Sequence, residues 1–240
     1  MPETRRVVPV LPVDPGAVAV RPLDSGDRLA RDEFHRRYLA MPEGFRAELV
    51  EGVVYVPSPL RQRYHGRPHA LLTAWAVRYS AATPGVDPGC ESSVFLDDEN
   101  EPQPDVLLRI VAERGGQSAE TADGYIERAP ELVGEVAAST ASYDLHSKRE
   151  AYRRNGVREY IVWRVFDREI DWFVLRDGRF EAITADTDGL ARSEVFPGLW
   201  LDARALVSGE MQTVFAAVDR GLASPQHAAF VERLERAARA

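Results

Sequence analysis

Cysteine, lysine and long apolar runs are all scarce in this sequence of 240 residues. Cys90 is the only cysteine, so neither an internal disulfide nor a zinc site built from cysteines can form. No stretch approaches the roughly 18 apolar residues that a membrane-spanning helix requires, and the first residues lack the apolar core of a signal peptide. We therefore expect a cytoplasmic protein with no membrane partner.

Basic residues are fewer than acidic residues. The chain has 38 acidic and 30 basic residues and a formal net charge of −8, which argues against binding nucleic acid through a broad basic surface. This charge does not exclude an enzyme that binds nucleic acid through a bound metal and a few local arginines. Among the basic residues Lys148 is the only lysine, which singles it out for examination.

The chain alternates helix-like and strand-like segments, which indicates a mixed α/β domain. A helix is expected from Ser25 to just before Pro42, and a second from Pro68 to about residue 82. Between them, two short β-type runs flank Glu51-Gly52 and predict a hairpin. Because hairpins contribute antiparallel strands to the sheet, it must be mixed and not purely parallel.

The second half of the chain continues this alternation. VLLRIV (106–111) and LVGEVAA (132–138) are almost wholly apolar, as strands buried on both faces are. Residues 112–129 are polar and predict a surface loop. The later elements are a helix over 144–155, a strand, a hairpin turning at 177–178, and helices near 209–220 and 225–239. We divide the chain into an extended lead (1–24), a main domain (25–207) and a helical extension packed on it (208–240).

Three polar residues lie where apolar residues are expected. Glu135 interrupts a buried strand, where a carboxylate is disfavoured unless it is paired or binds a metal. Lys148 falls on the apolar face of helix 144–155, so it needs a partner, either Glu135 or Asp144. Asp105 opens the strand 106–111. If the two strands are neighbours, Asp105 and Glu135 offer hard oxygen ligands suited to Mg²⁺ or Mn²⁺. The pattern alone also fits structural ion pairs with no catalytic role.

These residues stand in segments that resemble a known family. The segments are ELVEGVVYVPSP followed by His65, then QPDVLLRI, PELVGEVAASTASYDLHSKREAYRRNGVREYIVW and FPGLWLD, and they span about 30–202. Their order resembles the Uma-type restriction endonucleases of the PD-(D/E)XK nuclease superfamily. The resemblance implies a restriction-endonuclease-like mixed sheet flanked by helices, to which this chain adds helices at its C-terminal end.

The resemblance also implies an active centre. Asp105, Glu135 and the backbone carbonyl of Val136 would hold Mg²⁺ or Mn²⁺, and Lys148 would complete the catalytic set. Supporting roles fall to Glu48, which would contact the metal or hold Lys148, and to Asp144 and Tyr152. For His65 we favour a capping or solvent-facing position over a role in the site. The superfamily lysine is expected two residues after Glu135, where this chain has Ala137, so Lys148 would replace it from the following helix.

The expected function is therefore metal-dependent hydrolysis of phosphodiester bonds in nucleic acid, with DNA as the first choice. RNA or a small nucleotide is not separated from DNA by the sequence. The alternative from another class is a catalytically silent nucleic-acid-binding or interaction protein that keeps the nuclease fold. A homodimer is possible, since enzymes that cut duplexes often pair two sites.

Overall fold

The fold is built around a mixed β-sheet, seen in a computed structural model that describes residues 20–57, 59–138 and 143–239, without the side chain of Asp144. The strands are β1 (Glu48–Val50), β2 (Val53–Tyr55), β3 (Val86–Gly89), β4 (Val94–Phe95), β5 (Val106–Ile110), β6 (Ala119–Glu120), β7 (Ile126–Glu127), β8 (Leu132–Ala137), β9 (Glu159–Arg164), β10 (Glu169–Arg176), β11 (Arg179–Ala182), β12 (Ala191–Arg192) and β13 (Trp200–Leu201). The α-helices are α1 (Arg31–Tyr38), α2 (Arg67–Ser80), α3 (Arg149–Arg154), α4 (Ala203–Ser208), α5 (Met211–Leu222) and α6 (Pro225–Ala237).

The central sheet has six strands in the order β11-β10-β9-β8-β5-β3. Strands β8 and β9 run parallel and are joined by a crossover that contains α3, whereas the other neighbouring pairs are antiparallel. All residues of β5 and β8 are buried, as their apolar sequences predicted. The mixed sheet flanked by helices and the added C-terminal helices are therefore confirmed.

Helices cover both faces of this sheet. On one face α2 packs so closely that a Cβ at Gly134 of β8 would lie 3.1 Å from the side chain of Leu72. The terminal helices join the same core, because Val218 and Phe230 pack in one cluster with Leu72. On the other face α3 contributes Tyr152 to a second core. The apolar stripe of α6 thus packs on its own domain.

Both predicted hairpins form with two-residue turns. Val50 pairs with Val53 across Glu51-Gly52, whose φ angles are 54° and 69°. Arg176 pairs with Arg179 across the second turn, where both central residues also have positive φ. Positive φ at both central positions matches the twist of antiparallel strands, which is why glycine occupies the second position of each turn.

Two predicted elements were wrong. The first helix begins at Arg31 rather than Ser25, because residues 26–29 run beside β2: the amides of Gly26 and Leu29 donate to carbonyls of Val54 and Gly52. Residues 112–129 are not simply a surface loop. They contain β6 and β7, which form a small three-stranded sheet with β4. Both errors come from pairing between segments distant in sequence.

The described residues do not test the expected N-terminal lead or the division of the chain into three parts. Most of the predicted lead, residues 1–19, lies outside the described residues, and the division into three parts stays a prediction. Within the described ranges, no helix is both long enough and apolar enough to cross a membrane.

Candidate nuclease site

Asp105 and Glu135 lie side by side on neighbouring strands. The register of β5 and β8 pairs Val106 with Gly134. Because the strands are antiparallel, Asp105, which precedes Val106, lies beside Glu135, which follows Gly134. The Asp105 carboxylate crosses this gap, since its Oδ2 accepts a hydrogen bond of 2.6 Å from the amide of Val136. The condition set by the sequence, that the two strands be neighbours, is met.

Lys148 is buried between two carboxylates. Its Nζ lies 3.0 Å from Oε1 of Glu135 and 2.8 Å from Oε2 of Glu48. The Lys148 and Glu135 side chains are only 5% and 4% exposed, so the ion pair is largely withdrawn from solvent. A charge so buried is tolerated only with partners in contact. Of its two expected partners the lysine contacts Glu135, while the side chain of Asp144 lies outside the described part of the chain.

Tyr152 holds the same carboxylate from α3. Its hydroxyl donates a hydrogen bond of 2.8 Å to Oε1 of Glu135. Burial, together with the negative charge of Glu135, raises the pKa of Tyr152 well above its ordinary value, so the hydroxyl stays protonated and remains a donor. Lys148 and Tyr152, one helical turn apart, therefore fix one oxygen of Glu135 from the same side.

His65 lies against Asp105, so its predicted capping or solvent-facing position was wrong. Nε2 of His65 is 3.1 Å from Oδ1 of Asp105, and the two side chains are 15% and 13% exposed. Burial alone would raise the pKa of Asp105, but His65, the Val136 amide and the Lys148 charge lower it below 3.8. The contact with Asp105 in turn raises the pKa of His65 despite burial.

Two residues of the site, His65 and Lys148, stand in wide π-helical turns. Residues Gln62–Gly66 form such a turn before α2, and Asp144–Lys148 form another before α3. Single π-helical turns are rare, and they occur frequently at functional sites. The predicted helix 144–155 is therefore correct in place but is not a regular α-helix in its first turn.

A second group of possible ligands surrounds Asp105. One ligand atom from each of His65, His69, Glu91 and Asp105 lies within 4.8 Å of all the others, the only such cluster found among the described residues. Glu135 does not belong to it. The sequence reasoning missed His69 and Glu91. The spacing of His65 and His69, one helical turn apart, was an available signal, whereas Glu91 comes from a loop and is placed by tertiary structure alone.

One member of the cluster, Glu91, lines a cleft of about 490 Å³. The lining of the cleft includes Arg46, Cys90 and Glu91 as well as Tyr38 and Tyr125. Cys90 is exposed there and makes no disulfide. The site is thus reachable from solvent on the Glu91 side.

The fold is shared with a solved nuclease-type structure. The crystal structure of a "putative nuclease belonging to DUF820" from Anabaena variabilis aligns with a TM-score of 0.54, at 14% sequence identity, over 72% of this chain and 97% of that one. At this identity the similarity concerns the fold alone. No curated protein matches the chain.

Residues 31–204 match the model of the Uma2 family, described as "Putative restriction endonuclease". Since the match covers more than half of the chain, the protein belongs to this family. Every site residue discussed above, from Glu48 to Tyr152, falls inside the matched range. The resemblance to the Uma-type family, inferred from the sequence, is confirmed.

Proposed function

We propose that this protein is a divalent-metal-dependent endonuclease that hydrolyses phosphodiester bonds in DNA. The observation that carries the proposal is the buried ion pair of Lys148 with Glu135, positioned beside Asp105 at the end of two central strands. Replacing a buried ion pair by apolar residues is often neutral or stabilising, so stability alone is a weak reason for placing one in a core. Membership in a family described as restriction endonucleases supports the same activity.

The donors around Asp105 fit a divalent cation. Nε2 of His65 is buried and has no hydrogen-bond partner among the described residues, although Oδ1 of Asp105 is 3.1 Å away. Asp105, Glu135 and the carbonyl of Val136 would hold Mg²⁺ or Mn²⁺, which when bound polarises a phosphodiester and lowers the pKa of a coordinated water.

In the proposed active centre, the positive charge that comes from the protein and not from the metal is that of Lys148. Its ammonium would stabilise the negative charge that grows on the phosphoryl oxygens during attack. Glu48 and Glu135 compensate its burial and hold it in place. Tyr152 orients Glu135 through its hydrogen bond, so it acts as a positioning residue rather than a catalytic one.

Cleavage of supercoiled plasmid in the presence of Mg²⁺ or Mn²⁺ tests the proposal. Wild-type protein should nick or linearise the plasmid, and chelation should stop it. Asp105→Asn and Lys148→Met should each lower the rate by about 100-fold or more, the scale expected when one electrostatic contact to a transition state is removed. Equal cleavage by all three proteins would mean that a contaminating nuclease is responsible.

Substrate class is tested with the same proteins. The cleavage rates of duplex DNA, single-stranded DNA and RNA of one sequence are compared, and DNA should be cut fastest. Preference for RNA, or for a small diester alone, would overturn the DNA assignment but not the phosphodiesterase. Retained DNA binding without cleavage of any substrate would favour a catalytically silent member of the family.

A further inference from the structure

We propose that His65, His69, Glu91 and Asp105 form a separate binding site for a first-row transition-metal dication. The site shares Asp105 with the proposed nuclease centre and uses neither Glu135 nor Lys148. The proposal rests on the proposed function only through that shared carboxylate, because metal binding by the cluster does not require cleavage of any substrate.

The spacing of the donors suits one ion. Their ligand atoms all lie within 4.8 Å of one another. Donors bound to one ion at about 2.1 Å can be no more than about 4.2 Å apart, and about 3.4 Å apart in a tetrahedron. The 3.1 Å between Nε2 of His65 and Oδ1 of Asp105 is close to a tetrahedral edge. The longest separations, at most 4.8 Å, would have to contract by up to about 1.4 Å to complete a tetrahedral shell.

The ring nitrogens of His65 and His69 have contacts that suit metal ligands. Nε2 of His65 is buried and faces Oδ1 of Asp105 at 3.1 Å without good hydrogen-bond geometry, so an ion between the two atoms would satisfy both. Nε2 of His69 lies 2.7 Å from the backbone oxygen of Asp105. With its proton on that nitrogen, His69 keeps a lone pair on Nδ1. Donation of one ring N–H to a carbonyl is how metal-binding histidines are usually oriented.

Glu91 is oriented in a comparable way. Its carboxylate forms an ion pair with Arg46, and its amide donates to the carbonyl of Pro104, next to Asp105. Ligating carboxylates are commonly hydrogen-bonded by an outer partner, so the arginine is compatible with metal binding. The cleft beside Glu91 provides the entry path.

The donor set indicates the kind of metal. Two imidazoles with two carboxylates suit Zn²⁺, Mn²⁺, Co²⁺ or Cu²⁺, whereas Mg²⁺ prefers oxygen ligands and water. The ligands proposed for the nuclease centre, which are Asp105, Glu135 and the carbonyl of Val136, are oxygen donors alone. The two sites therefore differ in metal preference although they share one residue.

Electron paramagnetic resonance of Cu²⁺ counts the nitrogen ligands directly. Tag-free wild-type protein with one equivalent of Cu²⁺ should show coupling to two imidazole nitrogens. Calorimetric titration with Zn²⁺ should show a tight site, and Mg²⁺ should compete for it poorly.

His69→Gln is the sharpest variant. Glutamine keeps an N–H donor near the position of Nε2 but removes the lone pair of Nδ1, so a purely structural His69 tolerates it and a ligand does not. It should lose one nitrogen coupling and weaken Zn²⁺ binding by about 100-fold. The matched control is His146→Gln, because His146 is exposed on the turn before α3 and outside the cluster. This control should leave both measurements unchanged.

Glu135→Gln separates this proposal from the proposed function. It should retain both nitrogen couplings and the Zn²⁺ affinity while losing cleavage. Unchanged binding in His69→Gln, or a wild-type Cu²⁺ spectrum without two nitrogens, overturns the second site and leaves the nuclease proposal standing. Two nitrogens in a protein that cuts no phosphodiester would support the metal site while the nuclease proposal fails.

Discussion

Nζ of Lys148 lies 3.0 Å from Oε1 of Glu135, so the only lysine of the chain is buried against a carboxylate of the central sheet. Each of the two charges compensates the other for its loss of solvent. Removing either one leaves the partner buried with less compensation than it needs, which is strongly destabilising. The pair therefore has consequences for stability as well as for activity.

Lys148→Met should destabilise the protein, because methionine keeps the length of the side chain but leaves Glu48 and Glu135 buried beside each other without the ammonium. The expected loss in the free energy of unfolding is about 3–5 kcal/mol at neutral pH. Urea denaturation measures it. The double variant Lys148→Met with Glu135→Gln should recover part of the loss. A loss below about 1 kcal/mol in the single variant would show that the pair is better solvated than the structure indicates.

Tyr152→Phe should lower both stability and activity, because it removes the hydrogen bond that fixes Glu135. A hydrogen bond to a charged acceptor contributes about 1.5–3 kcal/mol. Tyr79→Phe is the matched control: Tyr79 is also fully buried, and its hydroxyl donates to the carbonyl of Pro197, away from the site. Both variants should lose stability, and only Tyr152→Phe should lower kcat. Equal activity in the two would remove Tyr152 from the site.

Sequence reasoning reached Glu135 and Lys148 because each is a charge in an apolar pattern, and a buried charge demands a partner. Asp105 was linked to them mainly by family resemblance, since an acid at the start of a strand is unremarkable. His69 and Glu91 were missed because one helix and one distant loop bring them together. The helix predicted from Ser25 failed for a related reason: pairing with β2 outweighed local helix signals over residues 26–29.

Glu101 should make stability depend on pH. Burial raises its pKa to about 7, although His35 acts in the opposite direction. Oε1 of Glu101 contacts His35 at 2.9 Å, while Oε2 is buried without a partner among the described residues. The folded protein thus keeps this proton up to about pH 7, whereas the unfolded chain releases it near pH 4.5. The stability that Glu101 contributes is fully present below pH 4.5 and is lost as the pH rises through 7, by about 3 kcal/mol.

Glu101→Gln tests this dependence, because glutamine mimics the protonated acid at every pH. At pH 4 the variant and the wild type should have similar free energies of unfolding. At pH 8 the variant should be more stable than the wild type. Denaturant titrations at both values suffice, and a constant difference between the two proteins would contradict the raised pKa of Glu101.

Divalent metal should stabilise the folded protein. A ligand at 100 times its dissociation constant adds about 2.7 kcal/mol, so Mn²⁺ should raise Tm and EDTA should reverse the effect. Asp105→Asn should abolish most of this shift, because Asp105 belongs to both proposed sites. Glu135→Gln and His69→Gln should each retain part of it. A full Mn²⁺-dependent shift in Asp105→Asn would place the metal elsewhere.

The most direct test of the nuclease assignment compares Glu135→Gln with Glu131→Gln in Mn²⁺-dependent plasmid cleavage. Both glutamates are buried, the first within β8 and the second immediately before it, and Glu131 accepts hydrogen bonds from the amides of Ile110 and Gln117, away from Lys148. We expect Glu135→Gln to lose cleavage by about 100-fold or more, whereas folded Glu131→Gln should keep a near wild-type rate. Equal rates in the two variants would contradict it.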